Sequence, residues 1–185
     1  MCGFVGFVKN SDTKNFDKSV ILNMNRSLSH RGPDNENYFE TENLSLGFSR
    51  LSIIDLNSRS NQPMKTSNNE FIIVFNGEIY NYLEIRKELT QFFKFDTTGD
   101  TEVLLNAYRH WGTDCLNRIK GMFSFCIYDK KKDILFCARD HFGQKPFFYF
   151  YHNKKFIFSS ELRSLIKFPI IEKKINKKAT VNYFH

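Results

Sequence analysis

The chain opens with Met1-Cys2-Gly3, and Cys2 is the residue in it best placed to act as a nucleophile. Methionine aminopeptidases remove an initiator methionine when the next side chain is small, as cysteine is, and removal would leave Cys2 with both a thiol and a free α-amine. Their ordinary pKa values, about 8.5 for the thiol and about 7.7–8.0 for the amine, suit proton transfer near neutral pH. An N-terminal amine is a known base for such nucleophiles. Residues 2–8 are short and apolar, which predicts a buried strand that would hold the cysteine in place.

A cysteine that attacks an amide needs donors for the oxyanion that forms. Asn76-Gly77 follows an apolar run at residues 71–75 that predicts a second buried strand. A side-chain amide beside a glycine N–H could form a two-donor oxyanion hole, in which each donor contributes about 3 kcal/mol. The same Asn-Gly pair is also typical of an ordinary turn, and on that interpretation the strand ends at Phe75.

An amino-acid substrate would also need charged partners. Arg50 follows a predicted strand at residues 44–48, and a guanidinium can bind a carboxylate through two hydrogen bonds. Asp100 is predicted as the N-cap of a helix that runs from Gly99 to about Trp111, where it could face an ammonium. Each charge also has an ordinary interpretation, as a surface charge or a helix cap.

The elements around these residues mix helices and strands. Helical spacing at residues 17–28 and 82–92, and a serine followed by an early glutamate at 159–166, predict three further helices. Apolar runs at residues 122–128, 134–138, 147–151 and 155–158 predict strands, several without polar alternation. Such strands are typical of sheets buried on both faces. We therefore expect an α+β fold with layered sheets, in one domain by length.

Other classes of function find little support. The four cysteines form no C-x-x-C pair and the histidines lack zinc spacing, so we expect no metal site. Cys126 and Cys137 lie within strand-like runs and are predicted to be buried and inert. The net charge of +7 comes from scattered lysines, which indicates a basic surface rather than a nucleic-acid site. No apolar run could cross a bilayer and no signal peptide is evident, so we expect a cytoplasmic protein without a membrane partner.

Several motifs, taken in order, resemble the glutaminase domain of the asparagine synthetases, which are class II (N-terminal nucleophile) glutamine amidotransferases. They are MCGFVGF, HRGPD (30–34), FSRLSIIDL (48–56), NQPM (61–64), NGEIYNYLEIRKEL (76–89), GDTEVLL (99–105), GMFSFCIYD (121–129) and ARDHFGQKPFFY (138–149). FSRLSIIDL favours asparagine-synthetase-like proteins over the glucosamine-6-phosphate synthases, which carry an H-T-R-W type of sequence. The resemblance implies a four-layer α/β/β/α sandwich of two antiparallel sheets, the Ntn-hydrolase fold.

The resemblance also implies a role for each site residue. The thiol of the nucleophile would attack the glutamine carboxamide and release ammonia, with its α-amine as proton shuttle. The oxyanion hole would use one side chain and one backbone N–H, and the substrate α-carboxylate and ammonium would each meet an opposite charge. The implied catalytic residues are Cys2, Asn76 and Gly77, and the implied substrate-binding residues are Arg50, Glu78 and Asp100.

By the same resemblance, residues 1–170 form the glutaminase domain and residues 171–185 begin the connection to a C-terminal synthetase domain. No SGGxDS pyrophosphate loop is present, so we expect ATP and Mg²⁺ to bind in that missing domain and no cofactor to bind in this one. Aspartate is the default ammonia acceptor, and a homodimer is left open. Two alternatives remain: an amidotransferase for a sugar or another carboxylate, and a non-catalytic domain that senses glutamine or serves in docking.

Overall fold

Two antiparallel sheets form the centre of the molecule. The computed structural model describes residues 1–10, 13, 16 and 18–184. The first sheet has the strand order β2-β3-β1-β9-β8 and the second the order β4-β5-β6-β7. The strands are β1 (Gly3–Val8), β2 (Asn35–Glu40), β3 (Leu44–Arg50), β4 (Met64–Lys65), β5 (Phe71–Ile79), β6 (Gly121–Asp129), β7 (Ile134–Arg139), β8 (Phe148–His152) and β9 (Lys155–Ser159).

Helices cover the outer faces of both sheets. They are α1 (Lys18–Arg26), α2 (Tyr82–Leu89), α3 (Asp100–Trp111) and α4 (Leu162–Leu165), with 3₁₀ turns at Ser58–Ser60 and Gly112–Asn117. A further helix, α5 (Lys177–Tyr183), is exposed along its whole length. Within the described ranges, no helix is long and apolar enough to cross a membrane.

Three apolar clusters separate the layers. One lies between the sheets and includes Phe4 and Val74, a second joins the β4–β7 sheet to α2 and α3, and a third joins the other sheet to α1 and α4. Alternation along β5 explains this division, because Ile72 and Val74 pack between the sheets while Ile73 and Phe75 pack toward the helices. The predicted α+β sandwich of four layers is therefore confirmed.

The strand β5 is longer than predicted and corrects our interpretation of Asn76-Gly77 as a turn. Both residues lie inside β5, where Asn76 is paired with Ser124 and Gly77 with Phe123 of β6. Gly77 permits this close pairing, since a methyl group there would lie 2.3 Å from the Met122 carbonyl oxygen.

Helix ends also differ from the predictions. Asp100 is the first residue of α3 and Gly99 is its N-cap, so the predicted capping role for Asp100 is wrong. Its carboxylate is instead bonded to the backbone of β5, as described below. The helix α2 ends at Leu89 rather than residue 92, and the helix predicted at 159–166 is the short α4. The start predicted for α1, residue 17, lies outside the described residues.

Candidate active site

Cys2 lies just before β1, a central strand of its sheet, so its position is determined by pairing on both sides. Its Sγ accepts a hydrogen bond from Leu51 N at 3.3 Å and lies 3.4 Å from Leu51 O. Burial raises the pKa of the Cys2 thiol, and the Leu51 N–H, the chain's amino terminus and Arg50 oppose that rise only in part. The thiol is therefore protonated at neutral pH and requires a base before it can act as a nucleophile.

The loop at residues 30–34 fixes the backbone of the cysteine. Arg31 Nε donates to the Cys2 carbonyl at 3.0 Å, and Arg31 Nη1 donates to Glu161 Oε1 at 2.9 Å. Gly32 lets this loop lie directly on β3, because a methyl group there would be 2.3 Å from the Ser49 backbone. The sequence indicated a loop at residues 30–34, but only the structure shows that Arg31 is hydrogen-bonded to the Cys2 backbone.

A cleft with about 500 Å³ of empty space, part of it open to solvent, lies beside the cysteine. Five of the six predicted site residues line it: Cys2, Arg50, Gly77, Glu78 and Asp100. The cleft thus places a thiol, a guanidinium and two carboxylates around one volume, although these residues come from four separate segments of the chain.

Asn76 is the sixth predicted residue and does not line the cleft. Its side chain is buried, and its Nδ2 atom has no hydrogen-bond partner among the described residues. A buried donor without a partner is costly, and native structures contain few of them. This donor is therefore not used by the described residues and can bond an acceptor on a bound molecule.

The guanidinium of Arg50 is held by the loop that follows it. Nη1 donates to Asn57 O at 3.0 Å and to Asn61 Oδ1 at 2.6 Å, and Nη2 donates to Asp55 O. Since a guanidinium carries five N–H groups, two remain after these three bonds to described residues. Two donors suffice for a bidentate contact with a carboxylate.

Asp55 holds this loop in place, and the sequence reasoning did not identify it. Its Oδ2 accepts from Thr98 N at 2.8 Å and from Thr98 Oγ1 at 3.0 Å, while Oδ1 accepts from Asn57 N at 2.9 Å. The Thr98 N–H is the main reason that the pKa of Asp55 lies well below its usual range. The Asp-x-Asn spacing is a local turn signal that could have indicated the bond to Asn57, but nothing local indicated Thr98.

Replacing Asp55 with asparagine is expected to lower the free energy of unfolding at pH 7 by about 1–3 kcal/mol, because a buried charge-assisted network is lost. A depressed folded-state pKa gives stability that is present above the unfolded value, 3.8, and is lost as the pH falls further. The difference between the parent and the variant should therefore shrink below about pH 4. Urea unfolding at several pH values would measure it.

The exposed Glu42 provides the control for this experiment. Glu42→Gln should leave the free energy of unfolding nearly unchanged. Equal stability of Asp55→Asn and the parent at pH 7 would contradict the role given to Asp55.

Asp100 joins the second sheet to α3 at the edge of the cleft. Its Oδ2 accepts from Ile79 N at 2.9 Å. Burial raises the pKa of Asp100 to about 6, with a smaller contribution from the charge of Glu78, although the Ile79 N–H acts in the opposite direction. An under-compensated buried carboxylate is stabilised by a cation, so the cleft can bind an ammonium group here.

A four-layer sandwich of two antiparallel sheets, with a cysteine just before a central strand, is the architecture of the Ntn-hydrolase fold. Residues 1–185 match the glutamine amidotransferase domain family, and the chain belongs to that family. The predicted class II glutamine amidotransferase is thereby confirmed.

Comparison with individual proteins shows which members of this family the chain resembles. The chain is 44% identical to asparagine synthetase [glutamine-hydrolyzing] 1 of Bacillus subtilis over 90% of its length, and 35% identical to asparagine synthetase [glutamine-hydrolyzing] 3 of the same organism over all of it. It spans 27% and 30% of those two proteins, respectively. The predicted resemblance to the asparagine synthetases is thus confirmed.

A solved structure supports the fold at lower identity. The glutamine phosphoribosylpyrophosphate amidotransferase of B. subtilis superposes with a TM-score of 0.71 at 18% identity, covering 88% of this chain and 42% of that one. At this identity the similarity concerns the fold alone.

Proposed function

We propose that this domain hydrolyses L-glutamine to L-glutamate and ammonia through a γ-glutamyl thioester on Cys2. The observation that carries the proposal is the arrangement of charges in the cleft, where the thiol shares one volume with Arg50 and Asp100. A substrate matched to these groups has an α-carboxylate, an α-ammonium and an electrophilic side chain, and glutamine has all three.

Substrate binding would use the two charged ends of the cleft. The two remaining donors of Arg50 bind the α-carboxylate, and Asp100 binds the ammonium with Glu78 beside it. Because these contacts hold the α-carboxylate and the α-ammonium of glutamine, its side-chain carboxamide extends toward Cys2. Placement of this kind lowers the entropic cost of the attack.

The first half of the reaction would form the thioester. After Met1 is removed, the Cys2 α-amine takes the thiol proton and the sulfur attacks the carboxamide carbon. The Asn76 Nδ2 and the Gly77 N–H donate to the oxyanion that this attack creates, which bound glutamine itself does not have. The α-ammonium of Cys2 then returns its proton to the departing nitrogen. The carbon–nitrogen bond of the intermediate breaks, and ammonia leaves.

The second half would release glutamate. The α-amine takes a proton from a water molecule, whose oxygen attacks the thioester carbon. A second oxyanion forms at the same donors, the carbon–sulfur bond breaks, and the proton returns to the sulfur. Cys2 is regenerated and the α-amine acts as a base in both halves.

We further propose that the ammonia is passed to an ATP-activated acceptor, aspartate, in a further domain of a longer protein that binds ATP and Mg²⁺. Identity to asparagine synthetases several times longer than this chain supports this assignment. Measurement of ammonia transfer to aspartate, sugar and other carboxylate acceptors by the whole protein would identify the acceptor. Amidation of another carboxylate in place of aspartate would overturn the assignment.

A diazo-ketone analogue of glutamine tests the reaction at its nucleophile. Incubation followed by mass spectrometry should show one adduct, located on Cys2 in molecules that lack Met1. Intact molecules without Met1 that carry no adduct would contradict the hydrolase proposal. Glutamine binding without ammonia release would indicate a glutamine-sensing domain instead.

The pH dependence should report Asp100. Because its carboxyl has a pKa of about 6 in the free protein, kcat/KM for glutamine should fall below about pH 6 as the group binds a proton and loses its attraction for the ammonium. At pH 7.5, Asp100→Asn should lower kcat/KM by about 100-fold, the loss expected for a buried charge contact. It should also weaken the fall in kcat/KM below pH 6. Steady-state kinetics across the pH range would measure both effects.

The same substitution should leave the fold intact. A rise in pKa from 3.8 to about 6 corresponds to about 3 kcal/mol of unfavourable energy in the charged native state. Asparagine removes this charge and still offers an oxygen to Ile79 N. The free energy of unfolding of Asp100→Asn at pH 7.5 should therefore equal or exceed that of the parent. A large loss of stability together with an unchanged KM would show that Asp100 is a structural residue.

A further inference from the structure

Two cysteines outside the proposed active site face each other across the second sheet. Cys126 on β6 and Cys137 on β7 are direct partners in the antiparallel register. Their Sγ atoms are 3.2 Å apart, and both are free thiols. Directly opposed residues of antiparallel strands have Cα atoms about 4.5–5.5 Å apart, which lies within the range of about 4.4–6.8 Å that a disulfide spans. A bond between these sulfurs therefore requires side-chain movement of about 1 Å and no change of register.

The two thiols differ in their access to solvent. Cys126 is fully buried in the apolar layer between the sheets. Cys137 is only half-buried, because β7 is the edge strand of its sheet. The prediction that both cysteines would be buried is therefore wrong for Cys137. Cys137 also lines an apolar groove of about 720 Å³ between β7 and β8, together with Phe147 and Tyr149. A small oxidant can thus reach Cys137 from this groove, and Cys126 lies directly beneath it.

We infer that Cys126 and Cys137 form a redox modification site, at which a hydroperoxide converts the two thiols reversibly into a cross-strand disulfide. In the first step the Cys137 sulfur attacks a peroxide oxygen, the oxygen–oxygen bond breaks, and a sulfenic acid and one water or alcohol form. In the second step the Cys126 sulfur attacks the Cys137 sulfur, the sulfur–oxygen bond breaks, and the hydroxide leaves as water with the Cys126 proton. The two thiols lose two electrons and two protons, and the peroxide gains them.

The environment of the pair assigns the order of these steps. Burial, together with the neighbouring Cys137 thiol, raises the pKa of Cys126 well above its ordinary value. Cys126 therefore stays protonated and is the resolving thiol, whereas the half-buried Cys137 meets the oxidant first. The sequence alone suggested two inert cysteines, because eleven positions separate them and only the hairpin register brings them together.

The disulfide would link the edge strand β7 to β6, and β6 pairs with the strand β5 that carries the proposed oxyanion donor Asn76. The other side of β6 pairs with β5, where Ser124 is opposite Asn76. The loop after β7 returns to β6 as well, since Asp140 Oδ2 accepts from Phe123 N at 3.2 Å. Oxidation would therefore make the β5-β6-β7 part of the sheet more resistant to unfolding.

The experiment counts thiols after peroxide treatment. The full chain is incubated with hydrogen peroxide, denatured, alkylated with iodoacetamide and digested with trypsin. We expect two of the four cysteines to escape alkylation, and a linked pair of peptides, residues 121–130 with 133–139, whose mass is two hydrogens below the sum of the two. A dithiol reductant should restore all four alkylation sites. The oxidised parent should also unfold at a higher temperature than the reduced parent.

Matched variants make the result specific. Cys137→Ser should abolish the linked peptides and the rise in unfolding temperature, while Cys115→Ser should retain both, because Cys115 lies on a different segment and is buried beneath the helices. The inference would be overturned if peroxide gave sulfinic acid on Cys137 without linkage. It would also be overturned if the linked peptides joined Cys2 to another cysteine, or if the pair 121–130 with 133–139 persisted in Cys137→Ser.

Discussion

Replacing Cys2 with alanine is expected to reduce glutamine hydrolysis by a factor of about 10⁴ or more, the loss typical of a missing nucleophile. The thioester cannot form without the sulfur, and Cys2 is the one thiol among the described residues that line the cleft. Ammonia release measured with a coupled assay would show the loss. Thermal unfolding should change little, since within the described part of the chain the Sγ atom is hydrogen-bonded to the Leu51 backbone alone.

Cys137→Ala is the matched control for this prediction, because Cys137 lies on β7 and outside the cleft. It should hydrolyse glutamine at the parent's rate. A Cys2→Ala variant that kept most of its activity would overturn the proposed mechanism.

Retention of Met1 provides a separate test of the α-amine. Protein made while methionine aminopeptidase is inhibited would carry Cys2 with an intact thiol but an amide nitrogen in place of the amine. Its loss of activity should approach that of Cys2→Ala, because the raised pKa of the Cys2 thiol leaves it protonated without a base. Full activity in such molecules would assign the base to another group.

The second large effect is expected from Asn76→Ala, which should lower kcat by about 10²–10³ while KM for glutamine changes little. The oxyanion develops only in the transition state, so its donor contributes nothing to the binding of glutamine in the ground state. The Asn76 Nδ2 has no partner among the described residues, and its removal therefore leaves no protein acceptor unpaired. Steady-state kinetics would separate kcat from KM.

Ser124→Ala is the control for Asn76, because Ser124 is the cross-strand partner of Asn76 and its hydroxyl donates to Pro146 O at 3.2 Å. Its kcat should stay within about threefold of the parent's, as expected for a residue outside the transition state. A rise in KM with an unchanged kcat in Asn76→Ala would show that Asn76 binds the substrate and does not stabilise the oxyanion.

Much of the architecture could be predicted from the sequence, because apolar runs mark strands such as β1, β5 and β6, which are largely buried. The strand β2 was missed since most of its residues are exposed, and it is held by pairing with β3 rather than by an apolar pattern. Asn76-Gly77 was misread as a turn for a related reason. The pair has a local preference for turns, but pairing with the whole of β6 overrides that preference.

In the candidate site, too, the sequence indicated some residues and not others. Cys2, Asn76, Gly77, Arg50 and Asp100 were candidates by their own chemistry and position, whereas Glu78 was added by the motifs that resemble a known family. Asp55 could not be found in this way, because its bond to Thr98 joins two loops that are distant in sequence and meet only in the folded chain. Contacts of this kind depend on tertiary geometry, and no local pattern encodes them.

The hydrogen bonds that hold Arg50 leave several side chains at the mouth of the cleft free to change in sequence. Two of its three bonds end on main-chain carbonyl oxygens, those of Asn57 and Asp55, which any residue at those positions would supply. Ile53 and Leu56 of the same loop are 60% and 76% exposed. Their side chains can therefore be exchanged in evolution or by engineering, to suit a different adjoining surface, while the guanidinium keeps its position at the cleft.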